Sequence, residues 1–161
     1  MLCKYADCVG NFTEVTENLI TKIQLNNHKM TYTHGNYLFH YICADRLIYM
    51  CISDAEFSRQ RAFIFLNEIK TKFLATYGLT AATALPYAMN TDFSRVMSTE
   101  MKRCNETSEY DSIQRAQGQI DELKDIMVKN IENIVARGER LELLVNKSEN
   151  LRDNVRKSCC I

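Results

Sequence analysis

The chain has 161 residues, 46% of them hydrophobic, and its twenty basic and twenty acidic side chains cancel. That suits one domain of ordinary size with an appendage, and the balanced charge gives no ground for a nucleic-acid partner or a strongly anionic surface. The cysteines, at 3, 8, 43, 51, 104, 159 and 160, form no pair of CxxC motifs at zinc-site spacing and are odd in number, so neither a metal centre nor a disulfide framework is expected, and a reduced, cytoplasmic compartment is.

The opening MLCKYADC is too short and too polar for a signal peptide. No stretch approaches the roughly 20 apolar residues of a membrane span, so the sequence as it stands is not expected to cross a bilayer. GNFTEVTENLITKI predicts a helix that opens on an Asn11-x-x-Glu14 capping pattern and buries Phe12, Val15, Leu19 and Ile23 at spacings of three and four. HKMTYTHGNYLFHYICADRLIYMCIS holds three runs rich in aromatic and β-branched residues, parted by the turn signals HGN and AD, and predicts an antiparallel meander. Ser53-x-x-Glu56 is then expected to cap a second helix with Ala62, Leu66, Ile69 and Phe73 on one face and Gly78 as its C-cap. A loop with the only proline, Pro86, leads to a short helix around Phe93, Met97 and Met101. Helix, meander, helix, helix is an α+β layered domain.

Composition changes near RCNETSEY, residues 103 to 110. None of the seven Phe and eight Tyr lies beyond Tyr110, and Leu, Ile, Glu, Lys and Arg take over. Stepping by three and four from Ile113 gives Ala116, Ile120, Leu123, Met127, Asn130, Ile134, Arg137, Leu141, Leu144, Ser148, Leu151, Val155 and Ser158, ten of fourteen positions being apolar. This is a heptad seam. An ordinary coiled-coil dimer fits the period. Arg137 fits it poorly, because a dimer usually sets its register with Asn or Lys, whereas a guanidinium with five donors wants several carbonyl-type acceptors around it. Three glutamines from three other helices would supply them.

IDELKDIMVKNIENIVARGERLELLVNKSENL resembles the fusion motif of R-SNAREs, with Arg137 at the arginine of their ionic layer, and the first part is similar to their longin domain. GNFTEVTE, TYTHGNYLFHYIC, RAFIFLNEIK and TALPYAMN resemble the vesicle-associated membrane proteins of the tetanus-insensitive type. The resemblance runs over roughly residues 4 to 151. It implies a profilin-like longin domain over 1–103, a linker at 104–110, an R-SNARE motif at 111–158 and a Cys-Cys-Ile tail at 159–161. It also implies a parallel four-helix bundle with syntaxin-type and SNAP-type Q-SNARE helices, acting at the cytosolic face of late endosomes, lysosomes and transport vesicles. The layers would be Ile113, Ala116, Ile120, Leu123, Met127, Asn130, Ile134, Leu141, Leu144, Ser148, Leu151 and Val155. A register slip would bury Arg137 against aliphatic groups, at a cost of about 3 to 5 kcal/mol for an uncompensated charge. In the family the longin domain folds back on its own fusion motif and binds trafficking adaptors in a groove. Here that groove would use Leu19 and Ile23 of the first helix with Met30 and Tyr32 of the adjacent strand, although an apolar helix face is core far more often than groove.

Compared with the family, the sequence is shortened at both ends. The expected first strand, central in the sheet, is absent before Lys4, which leaves MLCKYA as an edge strand with a gap beside it and predicts a weakened or rearranged longin fold. Cys159 and Cys160, behind Arg152, Arg156 and Lys157, are candidates for acylation, since Ser158 stands where a prenylation box needs cysteine. No Walker A loop, G-x-S-x-G or H-E-x-x-H motif is present, so neither an enzyme nor a cofactor is expected, and His34 and His40 read as structural. Two roles follow from the resemblance: a fusion SNARE on vesicles, or a soluble chain without an anchor that regulates or competitively inhibits SNARE assembly.

Overall fold

The computed structural model of the chain describes residues 1–7, 10–26, 28–106, 126–135 and 143–144, and the backbone of Ser158–Cys160. Three helices and six strands are described. They are β1 (Lys4–Ala6), α1 (Phe12–Ile20), β2 (His28–His34), β3 (Tyr37–Ala44), β4 (Leu47–Asp54), α2 (Arg59–Tyr77), α3 (Asn90–Asn105), β5 (Met127–Asn130) and β6 (Ser158–Cys160).

The meander forms as its alternation predicts. β2 pairs with β3 and β3 with β4, both antiparallel, through two-residue turns. Gly35 takes φ +55° in the first turn, and Asp45 and Arg46 take φ 52° and 64° in the second, the positive values that tight hairpins need to match strand twist. The whole sheet runs β1-β6-β4-β3-β2-β5 and is mixed, because β5 lies parallel to β2 while every other pair is antiparallel.

Period two decides which layer each strand residue joins. Tyr49 and Cys51 point to one face, where α2 brings Ala62, Leu66, Ile69 and Phe73 and α3 brings Phe93, Met97, Met101 and Cys104. Met50 and Ile52 point to the other, where α1 brings Phe12, Val15 and Leu19. Phe73 is the hub of the first layer: its ring meets Tyr49, Tyr77 and Phe93 at centroid separations of 6.0, 5.4 and 5.1 Å. Glu100 of α3 receives Lys72 of α2 and, at 2.7 Å, Arg103 from its own next turn, which ties the two helices together. Burial pushes the Cys3 thiol up to about 12, so this cysteine sits in the core as a neutral thiol.

His40 is also structural. Fully buried between three strands, it is bonded to Thr31 Oγ1 through Nδ1 at 2.9 Å and to Ser53 Oγ through Nε2 at 3.1 Å, with Phe63 edge-on to the ring.

Three local expectations are corrected. Ser53 is buried in β4 and bonded to His40, so it cannot cap α2; Ser58 does, its hydroxyl accepting from the Arg61 amide. Asn11 is the first residue before α1 but makes no side-chain cap, its amide oxygen being turned to another segment. Helix α1 stops at Ile20, and Ile23 reaches the core from the turn that follows. Gly78 is the C-cap of α2 as expected, in right-handed geometry and with its amide donating to the Leu74 carbonyl. At the sheet edge, β1 has the neighbour that the sequence led us to expect it to lack: β6 lies between it and β4.

Candidate functional site

The groove between α1 and β2 is where the chain's two parts meet. Leu19, Ile23 and Tyr32 are buried in the layer under α1, and Met30 is half-buried beside them. Tyr32 and Tyr41 stack at 5.8 Å, and the Tyr41 hydroxyl reaches His28 Nε2 at 2.6 Å and donates to Met30 Sδ at 3.7 Å. Burial, reinforced by Tyr32, raises the Tyr41 phenol well above its ordinary range, so it remains a donor at any physiological pH. The four residues named for the groove are thus packed in, or against, the core layer under α1.

The free edge of β2 is taken by residues from the second part. β5 runs parallel to it with Met30 opposite Met127, Thr31 opposite Val128, Tyr32 opposite Lys129 and Thr33 opposite Asn130. Strand addition of this kind satisfies backbone donors that would otherwise face an open edge. A 3₁₀ turn, Ile131–Asn133, follows; the Asn130 side chain caps it, accepting from the Glu132 amide at 2.9 Å. The turn drops Ile131 into the layer beneath α1, where only 1% of it remains exposed. Burial of that side chain contributes roughly 1.5 to 3 kcal/mol. Ile134 and Leu143 pack partly against the same layer.

The far end is tied to the start of α1. The Leu144 amide donates to Asn11 Oδ1 at 2.7 Å and the Asn11 amide donates to the Leu144 carbonyl at 3.2 Å. A Cβ on Gly10 would stand 2.6 Å from that carbonyl oxygen, so only glycine permits this approach.

The expected layer residues divide accordingly. Met127 and Asn130 lie in β5, Ile134 is half-buried and Leu144 is held through its backbone; Met127 and Leu144 leave 55% and 60% of their surface exposed. Ile113, Ala116, Ile120, Leu123, Arg137, Leu141, Ser148, Leu151 and Val155 lie outside the described residues. At Met127–Asn130 the helical period is overridden, because an open strand edge offers extended backbone more bonds than a lone helix finds. Ile131 was not singled out by the seam. Its signal was a surplus of apolar residues off the stripe: Ile126, Val128, Ile131, Val135 and Leu143 are more than one face of a coiled coil needs. Cys159 and Cys160, the candidates for acylation, fall in β6. Among the described residues there is no cluster of metal ligands, and no helix is long and apolar enough to cross a membrane.

The longin model, described as a regulated-SNARE-like domain, matches residues 2–97, and the synaptobrevin model matches residues 112–157. Vesicle-associated membrane protein 7 of Mus musculus and of Homo sapiens are each 56% identical to the chain over 154 residues, covering 96% of it and 70% of themselves. Vesicle-associated membrane protein 7B of Dictyostelium discoideum is 37% identical over 152 residues, covering 94% of the chain and 58% of itself.

Proposed function

Because the chain belongs to the longin-domain R-SNAREs of the vesicle-associated membrane protein 7 type, non-enzymatic proteins of vesicle trafficking that pair with Q-SNAREs, we propose that its second part is a fusion motif switched by the groove of its first. In the active state residues 111–158 form one helix of a parallel bundle with syntaxin-type and SNAP-type helices. Arg137 is its ionic layer and fixes the alignment. Each buried Leu or Ile layer residue contributes roughly 1.5 to 3 kcal/mol, and zippering draws the attached membranes together. In the resting state the motif is docked on the longin domain. Trafficking adaptors act on the same groove, so engaging one frees the motif or competes with it.

One observation carries this reading. Met127–Asn130 are strand against β2 while Ile131 is buried under α1, and the same residues would have to be helical in the bundle. A strand rises about 3.3 Å per residue and a helix 1.5 Å, so the two states exclude each other. The groove also takes Ile131, which is off the seam, so docking can be weakened with the layers left intact.

Ile131→Ala tests it. Removing a buried isoleucine side chain costs about 2–5 kcal/mol, here charged to the docked state alone. On mixing with soluble Q-SNARE helices, the variant is expected to gain helicity and form an SDS-resistant complex faster than the parent chain, with the longin melting transition little changed. Equal assembly rates for the two chains would overturn the groove as the switch.

A further inference from the structure

β6 occupies an interior place in the sheet. Its register sets Ser158 between Ala6 and Ile52, Cys159 between Tyr5 and Cys51, and Cys160 between Lys4 and Met50. On the β4 side the facing residues Met50, Cys51 and Ile52 are all buried. An empty slot would leave main-chain groups of β4 unpaired in a place with little access to water. On the other side, β6 is the only strand to which β1 is paired among the described residues. The outer side of β1 is held differently: the Lys4 amide donates to Asn90 Oδ1 at 2.9 Å and Lys4 Nζ to Thr13 Oγ1 at 3.0 Å. So β1 is bracketed by helix residues outside and by β6 inside.

We propose that the slot between β1 and β4 is a strand-acceptor site, that its occupant is the chain's own Ser158–Cys160, and that seating this strand holds the far end of the SNARE region out of the bundle. The last clause rests on the reading given above. Ser158 is itself a seam step, so the seam cannot run through it as helix while Ser158–Cys160 is extended in the sheet. The chain is therefore held twice, by β5 at one edge of the sheet and by β6 inside it. Assembly has to extract an interior strand as well as peel an edge strand.

NMR-detected hydrogen exchange on the full chain tests this. Alone, the paired amides of Lys4–Ala6 and Ser158–Cys160 are expected to exchange slowly, as those of β4 do. After assembly with soluble Q-SNARE helices, both segments are expected to lose protection together by about tenfold or more, while the amides that bond within the β2–β3–β4 meander keep theirs. Open-chain exchange at Ser158–Cys160 before assembly would overturn the acceptor site. Unchanged protection of β1 after assembly would overturn the coupling. Cys159→Pro removes a ladder donor from an interior position and is expected to deprotect β1, with a peptide of residues 152–161 added in trans restoring it. Failure of that peptide to restore β1 counts against the site even where the variant is poorly folded. Ile131→Ala separates the two readings, because it loosens β5 without touching β6: faster assembly with Ser158–Cys160 exchanging freely would leave the groove reading and remove this one, and protected β6 with no effect of Ile131→Ala would do the reverse.

Discussion

Residues 1–106 and the described part of the region after them use the same kind of signal to different ends. On α2, the four residues that the helical period assigns to one face, Ala62, Leu66, Ile69 and Phe73, are all buried in the layer against the sheet, with Phe63, Ile64 and Phe65 buried beside them. Beyond residue 126 the period assigns Met127, Asn130, Ile134 and Leu144 to a face, yet Met127 and Leu144 are exposed and Ile131, off that face, is the buried one. Apolar periodicity reports the partners a segment is built for. In the first region those partners are covalently present and always at hand. In the second they are other chains, and without them the segment takes whatever surface its remaining apolar residues fit.

The hardest test of this difference is to destroy one region and examine the other. Phe73→Ala removes a buried ring from contact with three aromatic neighbours and is expected to cost about 3–5 kcal/mol, a large share of what a domain this size has. A chemical denaturation curve should show the longin transition shifted to much lower denaturant. Assembly with Q-SNARE helices should persist and begin faster, since the groove and the β1–β4 slot are lost with the domain. Loss of assembly in step with loss of the longin fold would mean that the second region depends on the first, and the contrast would fail.

How much was legible follows from the same contrast. The meander, the three helices and their buried faces could be read, because each rests on local period and on turn residues whose backbone needs are specific, as at Gly35. Capping was read less well. Ser53-x-x-Glu56 has the composition of a cap, but Ser53 lies on the sheet face that also holds His40, and tertiary hydrogen bonding won over local preference. Leu19, Ile23, Met30 and Tyr32 were named for the groove by resemblance rather than by pattern, and they lie together in the layer under α1. Their occupant was not legible in detail, because Ile131 competes for notice with a stronger heptad signal. β6 was illegible altogether: Ser-Cys-Cys has no marked strand preference, and what makes it a strand is a slot formed by residues more than a hundred positions earlier.

A finer test stays within the first region. His40→Leu keeps an apolar volume between β2 and β4 but leaves the hydroxyls of Thr31 and Ser53 without the ring nitrogens they face. Ser53 Oγ keeps its bond to the Asp54 carbonyl at 3.2 Å, but Thr31 Oγ1 loses the partner it has in the ring, and a buried group left unmet costs about 1–3 kcal/mol. Urea denaturation should therefore show a clear loss of longin stability. Because the hydroxyls meet His40 on the α2 side of the sheet and Ile131 is buried on the α1 side, the assembly rate should change less than in Ile131→Ala. A larger change in assembly than in stability would show that the middle of the sheet takes part in the switch.

The smallest expected effect is the most discriminating for the groove. Asn11→Ala removes the acceptor of the Leu144 amide and leaves the backbone bond from the Asn11 amide to the Leu144 carbonyl in place. Asn11 is half-buried but this bond is open to solvent and water can replace the lost oxygen, so the cost is about 0.5–1.5 kcal/mol, borne by the docked segment. Asn11 makes no side-chain cap in this state, so α1 itself should lose nothing. Hydrogen exchange decides between the two roles: faster exchange at the Leu144 amide, with the first-turn amides of α1 unchanged, is the result expected of a residue that has given up capping its own helix to hold another segment. Deprotection of the α1 amides instead would mean that the Asn11-x-x-Glu14 pattern serves the helix after all, and that the tie to Leu144 contributes little.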